Sequence, residues 1–461
     1  MSVMREAHFV GTVSQGSIYG LSSLSSGRES PKVLVASSKS KIYCTEYSRN
    51  RRNLLFSTKE VQFTYIPGQA EIISVDAFDQ ARHARDFVVG ITFGKSDIDG
   101  KQSQYFNIYS SWEPSSEGDL DDIAQECLSI YLDFVPFHLT HAELFIDGTK
   151  EIVWLLSGSD CQVHLYREDK SQQTYSKEPV DLRFPEFKDL DSVKEKHAHR
   201  ETKRLIKGAQ PKMGLKKGQG AYLGLWKNSS FSENGEGRVT WMDFLTSEKE
   251  RLTAFGCRDG TVAVSRVDLH PTSQVRASWR IRHDGPISNV RLFRDSLLDV
   301  PEGGSISACP VHLLVTNTLE VCVVYRNVAE EGLSLSSQRV LPKSGRYDSA
   351  TCGLVADIDM DGENEILVGT YGQELLTYKW AEQSQEYLPI GRRSFPAPLL
   401  AAAHVDVTGD GLRELLVLTS GGLHILQHDL KMVTELCVQR MKLLLQNVSQ
   451  EDLKKMLLKT K

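Results

Sequence analysis

Short runs of alternating apolar and polar residues recur along the chain, and a Gly, Ser or Asp turn joins each run to a second one. Alternation with a period of two is typical of half-buried β-strands, so each unit predicts a β-hairpin. Most hairpins start at a spacing that suits a four-stranded propeller blade, which takes roughly 40–50 residues plus its loops. The seven predicted hairpins are Val33–Tyr47, Phe87–Tyr109, Ile152–Tyr166, Leu252–Val267, Leu313–Tyr325, Ile366–Tyr378 and Leu415–Gln427.

A strand of small or aliphatic residues precedes each hairpin, as suits the crowded axis of a propeller. After the seventh hairpin the sequence becomes helical, so we expect the spare N-terminal run His8–Val13 to complete the last blade and close the ring. The predicted inner strands are Ser17–Ser23, Ala70–Phe78, His138–Ile146, Arg238–Leu245, Pro286–Phe293, Cys352–Ile358 and Leu399–Val405. The predicted fourth strands are Val61–Ile66, Leu128–Phe134, Arg276–Arg282 and Tyr387–Phe395.

The pattern therefore predicts an all-β fold, a seven-bladed β-propeller over residues 1–428. Two packed β-domains are the alternative that the same strands allow. Residues 429–461 form a second unit, in which apolar residues from Leu430 to Leu453 recur at helical spacings between Lys and Gln. They predict an appended C-terminal amphipathic α-helix, broken near Ser449. Such a helix either packs on the ring or offers its apolar stripe to a partner.

A basic segment, residues 193–235, interrupts the repeat between the third and fourth blades. It is rich in Lys, Arg and Gly and has no sustained period of 2 or 3.6, which is typical of a disordered insertion. Such a loop can contact acidic lipid, RNA or an acidic protein. The alternatives are a solvated insertion without a partner and an artefact of gene annotation.

Two acidic turns, 357–365 and 406–414, open the sixth and seventh hairpins one blade apart. Oxygen ligands at alternating positions can wrap a hard cation, and Gly permits the sharp turn. Neither is an EF-hand loop, because valine stands at the twelfth position of each. Each is similar to the calcium-loop turn of integrin-type FG-GAP propeller repeats. The possible calcium ligands are Asp357, Asp359, Asp361, Asp406 and Asp410.

The same side chains can hold a turn without metal, because Asp and Thr hydrogen-bond to their own backbone. Thr408 replaces a carboxylate in the second turn, and the first five blades lack the motif. We therefore assign no metal ligand and expect the motif to fix turn geometry. The choice between a bare turn and a calcium site stays open at this point.

Composition and charge narrow the function classes. Lys plus Arg number 54 against 60 for Asp plus Glu, a balance that argues against bulk nucleic-acid binding. No apolar run is long enough to span a membrane, and Met1–Glu6 has no signal-peptide character, so we expect a cytoplasmic protein whose eight cysteines are reduced. Gly90–Ser96 resembles a phosphate loop but fails its glycine spacing.

The histidines also form no recognisable site. His197 and His199 lie in the basic segment, while His404 and His424 lie in blade strands and are expected to be structural. Asp119, Asp121 and Asp122 are typical of a solvated loop and helix start. No nucleophile, base and orienting group can be assembled, so we predict no enzyme, no catalytic residue and no cofactor.

Long collinear stretches resemble the kaptin family over about residues 1–192 and 236–440, whereas the basic segment departs from its pattern. The stretches that carry the resemblance include 62–67, 70–74, 88–93, 107–109, 123–125, 155–158, 164–166, 284–288, 324–326, 370–376 and 403–411.

The resemblance implies a non-enzymatic scaffold subunit of KICSTOR, a complex on lysosomes whose other subunits include an FG-GAP-repeat propeller protein. It implies recruitment of the GATOR GTPase-activating complex and restraint of TOR signalling when amino acids or glucose are scarce. Lysosomal association would then be peripheral, through partners. The alternative that the same family implies is an F-actin-binding protein of lamellipodia and stereocilia.

Overall fold

The structure, a computed structural model, describes residues 4–24, 31–50, 53–79, 87–96, 99–110, 120–146, 149–190, 237–295, 306 and 309–447. These residues form seven four-stranded antiparallel sheets. The innermost strand of each sheet contacts the innermost strands of its two neighbours, and the contact between the first and last sheets closes the circle. The fold is therefore the predicted seven-bladed β-propeller.

The seven innermost strands surround the axis: β2 (Gly16–Leu24), β6 (Glu71–Asp79), β10 (Pro136–Ile146), β14 (Val239–Thr246), β18 (Ile287–Phe293), β22 (Ala350–Ala356) and β26 (Leu399–Val405). The second strands are β3 (Lys32–Ser37), β7 (Phe87–Ser96), β11 (Thr149–Gly158), β15 (Glu250–Cys257), β19 (His312–Asn317), β23 (Glu365–Thr370) and β27 (Glu414–Thr419).

The third strands are β4 (Lys41–Asn50), β8 (Gln102–Ser110), β12 (Val163–Asp169), β16 (Thr261–Asp268), β20 (Val323–Tyr325), β24 (Glu374–Ala381) and β28 (Gly422–His428). The outer strands are β5 (Asn53–Val61), β9 (Cys127–Leu132), β13 (Thr174–Glu178), β17 (Gln274–Arg282), β21 (Gln338–Val340), β25 (Glu386–Ser394) and, in blade 7, β1 (Met4–Gly11).

The second strand of each blade is buried on both faces. In β27, Leu415 and Val417 join the apolar cluster shared with blade 6, while Leu416 and Leu418 join the cluster shared with blade 1. Seven such clusters lie between neighbouring blades. Because both faces are apolar, these strands read as continuous hydrophobic runs in the sequence.

Close packing between blades depends on small residues where neighbouring blades meet. A Cβ built on Gly256 of blade 4 would lie 2.3 Å from the Ile287 side chain of blade 5. The register between innermost and second strands also shifts in every blade, as at Leu399/Ala401. A bulge of this kind bends the strand and increases its local twist.

The N-terminal strand closes the ring as predicted. β1 pairs antiparallel with β28, with Val10 opposite Leu423. The side chains of Met4 and Val10 are buried, and the Met4 carbonyl accepts a hydrogen bond from Arg393 of blade 6 at 2.9 Å. Blade 7 therefore combines the two ends of the propeller chain.

The outer strands differ from expectation. The predicted strand Val61–Ile66 is wrong, because β5 runs over Asn53–Val61 and residues 62–66 form a turn. Blades 3 and 5 have fourth strands that the sequence did not indicate, β13 and β21, which are five and three residues long. Outer strands have one face in solvent and little apolar alternation, so their pattern is weak.

Two α-helices and three 3₁₀ helices accompany the strands in the described chain: α1 (Leu120–Ile123), α2 (Leu430–Asn447), Val180–Leu182, Pro185–Leu190 and Ser344–Arg346. The predicted C-terminal helix is α2, whose first turn is capped by the Asp429 carboxylate, 3.0 Å from the Lys431 amide. Leu430 and Met441 are exposed at 67% and 50%, so α2 keeps much of its apolar surface off the ring. Among the described helices, none is both long and apolar enough to cross a membrane.

Parts of two predictions lie outside the described residues. These are the basic segment 193–235 and the end of the C-terminal unit, 448–461, which includes the expected break near Ser449. The 3₁₀ helix Pro185–Leu190 immediately before the basic segment is well anchored, because Phe184, Phe187 and Leu190 are buried in the cluster between blades 3 and 4.

Candidate functional site

The two acidic turns link the innermost strand to the second strand in blades 6 and 7, and they share one backbone design. The Asp357 carboxylate accepts hydrogen bonds from the amides of Asp361 and Gly362 at 3.0 and 2.9 Å. The Asp406 carboxylate accepts from Gly409 and Gly411 at 2.7 and 2.8 Å. Each first aspartate therefore closes its turn through backbone bonds.

The last residue of each turn is a buried glutamate that ties the turn to its own start. The Glu365 carboxylate accepts from the Ile358 amide, and the Glu414 carboxylate accepts from the Val407 amide, both at 2.8 Å. Gly362 and Gly411 have φ values of 97° and 90°, which L-residues with a Cβ rarely adopt. The Asp-to-Glu spacing and the glycine thus serve the same loop geometry.

Blade 6 provides its own counter-charge for this turn. The Lys379 ammonium, from strand β24, lies 2.9 Å from Asp359, 2.5 Å from Asp361 and 2.6 Å from Glu365. Burial favours the neutral amine, but hydrogen bonds to these three carboxylates outweigh it and raise the pKa of Lys379. Although burial opposes the effect, the bond from Lys379 and the Glu363 amide lower the pKa of Asp361.

This geometry bears on the calcium question. One oxygen each of Asp357, Asp359 and Asp361 lies within 4.8 Å of the others, so these three carboxylates can converge on a cation. Lys379 already contacts two of them and neutralises part of their charge from within the chain. A metal ion would have to displace this ammonium, which explains how the turn can be stable without one.

Blade 7 has no lysine at the equivalent position. Gln427 on β28 stands where Lys379 stands on β24, and its amide lies 3.4 Å from Glu414. Burial raises the pKa of Glu414 to about 7, and repulsion from Asp410 and Asp406 adds to this effect. The two turns therefore have similar backbones and different electrostatics.

Acid–base pairs between the second and third strands recur in other blades, and the sequence analysis missed them. Glu151 pairs with Arg167 at 2.9 Å in blade 3, and Glu250 pairs with Arg266 at 2.8 Å in blade 4. The partners are 16 residues apart in both pairs, against 14 for Glu365 and Lys379. The signal was present as an acid at the start of the second strand and a base at the end of the third.

The remaining candidates from the sequence have structural places. Gly90–Ser96 lies within strand β7, not in a phosphate-binding loop before a helix. His424 pairs with Glu6 at 3.1 Å, whereas burial lowers the pKa of His404 to about 4. Asp121 and Asp122 are in the first turn of α1 as expected. Asp119, His197 and His199 lie outside the described residues.

The cysteines are free thiols, and five of them are buried: Cys44, Cys161, Cys257, Cys322 and Cys352. Burial raises the pKa of Cys322 and Cys352 to about 11. Thiols with raised pKa values are poor nucleophiles, because the thiolate is the reactive form. Cys44, Cys257 and Cys322 lie in the apolar clusters between blades, where they act as small apolar side chains.

The sequence matches one family of known proteins along most of its length. The family model described as "KICSTOR complex protein kaptin" matches residues 4–206 and 227–438. The KICSTOR complex protein kaptin of Mus musculus is 39% identical over 446 residues, which cover 95% of this chain and 91% of that protein. The chain belongs to the kaptin family.

The family match also refines the extent of the resemblance. It continues into 193–206 and 227–235, so between the two matched stretches only residues 207–226 fall outside it. The unmatched part is therefore shorter than the basic segment that the sequence analysis set apart. Blades, ring closure and both acidic turns all lie within the kaptin match.

Proposed function

We propose that this chain is a non-enzymatic scaffold subunit of the KICSTOR complex. In this role it would recruit the GATOR GTPase-activating complex to lysosomes and so restrain TOR complex signalling when amino acids and glucose are scarce. The observation that carries the proposal is the 39% identity to the KICSTOR complex protein kaptin of Mus musculus along nearly the whole chain.

The fold supports a scaffold. Seven apolar clusters fix neighbouring blades to each other, and β1 closes the ring, so surface loops are held on a rigid frame. α2 adds exposed apolar residues such as Leu430 and Met441 beside this frame. Exposed apolar surface with polar surroundings is typical of protein–protein contact sites.

The expected partners are the other KICSTOR subunits, including an FG-GAP-repeat propeller protein, and through them the GATOR complex. Attachment to the lysosomal membrane would be peripheral and supplied by those subunits. The expected location is then the cytoplasm and the lysosomal surface.

Affinity purification of the tagged full chain from cells, with partners identified by mass spectrometry, tests the proposal. The experiment is run with actin filaments intact and again after depolymerisation, with the tag alone as control. We expect stoichiometric recovery of the KICSTOR subunits in both runs. Absence of those subunits from both runs would contradict the scaffold role.

The same experiment separates the actin-binding alternative. Recovery of actin alone, lost after depolymerisation, would favour a cytoskeletal protein of lamellipodia and stereocilia. Direct binding is then measured by cosedimentation of the pure chain with filaments, with no other subunit present. Sedimentation of the chain only when filaments are present would identify actin as a direct ligand.

A further inference from the structure

A cavity of about 730 Å³ opens at one end of the central channel. Its wall is formed where the innermost strands β14, β18, β22 and β26 end, together with parts of both acidic turns. Blades 4 to 7 therefore all contribute to it. A cavity of this size is within the range that holds a small molecule or several side chains of a peptide.

Positive side chains dominate the charged residues of this wall. They are Arg291, Arg294 and Arg413, against the acids Asp243 and Asp357. The wall also holds His404 and His428, but burial lowers the pKa of both imidazoles, so they add no positive charge at neutral pH. Asp243 is matched by Arg291 at 3.6 Å and by the Leu292 amide at 2.7 Å. The excess is local, because the whole chain carries a formal charge of −6.

Both acids of the wall have partners other than Arg294 and Arg413. Asp357 is engaged by the amides of its own turn, at 3.0 and 2.9 Å. Within the described chain, the guanidinium groups of Arg294 and Arg413 make no ion pair with Asp or Glu. A carboxylate entering the cavity would therefore meet two arginines that have no carboxylate partner among the described residues.

Four nitrogen atoms of the wall are buried without a hydrogen-bond partner among the described residues. They are Nε of Arg291, Nε of Arg294, Nε2 of His404 and Nδ1 of His428. Unpaired buried polar atoms are rare in folded proteins, and each one disfavours the empty state. The two arginine nitrogens can only donate, so they favour a ligand that brings acceptors such as carboxylate oxygens. The two imidazole nitrogens add polar groups that can donate or accept.

The rest of the wall is apolar. Leu245, Leu354 and Leu412 line the cavity and are only half-buried, so they present hydrocarbon to its interior. A bare polyphosphate has no apolar atoms with which to cover such a surface. An apolar side chain that covers it is removed from water, and this stabilises the complex. The ligand should therefore combine acidic groups with an apolar group.

We infer that this end of the channel binds an extended acidic peptide segment of a partner protein. An apolar side chain of the peptide enters beside Leu354 and Leu412, and its carboxylates bind the guanidinium groups of Arg294 and Arg413. Rigid sites with a few charged groups around an apolar pocket fix both the affinity and the orientation of such a segment. This inference does not depend on whether the chain is a subunit of the KICSTOR complex.

The test is fluorescence anisotropy with the full chain and a labelled peptide of about twelve residues, in which Glu residues flank a central Leu-Phe pair. Two matched peptides carry Lys for Glu or Ser for the apolar pair. We expect the acidic apolar peptide to bind and the two matched peptides not to bind. In R294Q/R413Q, which removes both arginines that face the carboxylates of the peptide, binding should be at least about tenfold weaker. Binding should also weaken as salt rises, because exposed charges are screened.

R280Q/R282Q is the matched control, since it removes two exposed arginines from the outer strand β17. It should bind like the wild type. Arg413 is exposed, so R413E should fold as well, and it should shift preference toward the Lys peptide. Circular dichroism melting confirms that each variant is folded.

Three outcomes overturn the inference. One is failure of the wild type to bind the acidic apolar peptide, and a second is equal binding by R294Q/R413Q and the wild type. The third is equal binding of the Ser peptide together with displacement by inositol hexakisphosphate, which would assign the cavity to phosphate groups. None of these results bears on whether KICSTOR subunits copurify with the chain.

Discussion

The Lys379 ammonium lies 2.6 Å from the carboxylate of Glu365, a side chain that is 1% exposed. This pair joins the third strand of blade 6 to the start of its second strand. Glu365 also receives the Ile358 amide, so the lysine, the glutamate and the acidic turn form one unit. Part of the negative charge of the turn is thus neutralised by a residue that follows it in the chain.

Replacing Lys379 by Met should lower the free energy of unfolding by about 2 kcal/mol. The change leaves the Glu365 carboxylate buried without its cation. The expected loss of stability is smaller than for a fully buried ion pair, because the Lys379 side chain is 19% exposed. Urea unfolding measures the effect. K41M is the matched control, because the Lys41–Glu60 pair is more exposed and its loss should change stability far less. Equal losses in both variants would contradict the assigned role.

Asp361→Ala and Asp410→Ala should each destabilise the protein by about 1–2 kcal/mol, through the loss of turn hydrogen bonds. The Asp361 carboxylate accepts from the Glu363 amide at 3.0 Å, and the Asp410 carboxylate accepts from the Leu412 amide at 2.8 Å. Melting of all three proteins should be the same in calcium and in chelator. A calcium-dependent rise in the wild-type melting temperature, absent from both variants, would instead identify a metal site.

The raised pKa of Glu414 predicts a pH dependence of stability. In the unfolded chain the pKa is near the ordinary 4.5, whereas burial raises it to about 7 in the folded protein. The folded state therefore keeps the proton to a higher pH than the unfolded state. The free energy of unfolding falls as pH rises between these two values and stays lower above them. Glu414→Gln should remove this decline and stabilise the protein by about 2 kcal/mol at about pH 8.

Urea unfolding of the wild type and E414Q at about pH 5 and about pH 8 measures this difference. Gln can still accept the Val407 amide, so the turn is kept. E60Q is the control, because Glu60 is an exposed residue of the outer strand β5 and should keep the wild-type decline. Parallel pH dependences for E414Q and the wild type would show that Glu414 is charged in the folded protein.

The sequence indicated the parts of the fold that are buried on two faces. Strand β27 and its equivalents read as apolar runs because their side chains enter two clusters, and the ring closure followed from one spare strand. Outer strands such as β5 and β21 were misplaced or missed, since their exposed face carries no apolar pattern. Burial thus determined what could be predicted.

The candidate site divides in the same way. The acidic turns were recognisable because their bonds link residues at most seven positions apart, such as Ile358 and Glu365. Lys379 reaches the turn from a later strand, so its contacts depend on hairpin register. The cavity lining could not be predicted, because Arg294 and Arg413 come together only when blades 5 and 7 take their places in the ring.

The basic segment should be dispensable for folding. A Cβ built on Gly237 would lie 3.6 Å from the Leu190 carbonyl oxygen, so the chain leaves and re-enters the ring at one place. Replacing 191–236 by a short Gly/Ser linker should leave the melting temperature unchanged or slightly higher, because a shorter loop loses less entropy on closure.

Phe187→Ala provides the contrast for that deletion. Phe187 lies just before the segment, is 3% exposed and packs on Phe255 with ring centroids 5.5 Å apart. Its truncation should lower stability by about 3 kcal/mol. A deletion variant that is less stable than F187A would show that the segment contributes to the ring.

Closure of the ring by β1 can be tested with one substitution at two positions. Val10→Asp places a carboxylate at a site that is 9% exposed and opposite Leu423, whereas Val13→Asp places it at a site that is 70% exposed. Burying an unpaired carboxylate should make V10D less stable by about 3 kcal/mol, and V13D should stay within about 0.5 kcal/mol of the wild type.

Hydrogen exchange shows whether the lost stability comes from the closure. If β1 seals blade 7, V10D should accelerate exchange of the β28 amides that pair with β1, while the amides of blade 3 keep their protection. Uniformly faster exchange in all blades would mean that the ring unfolds as a whole and that β1 is one stabilising strand among many. Equal stability of V10D and V13D would exclude the closure that the pairing of Val10 with Leu423 describes.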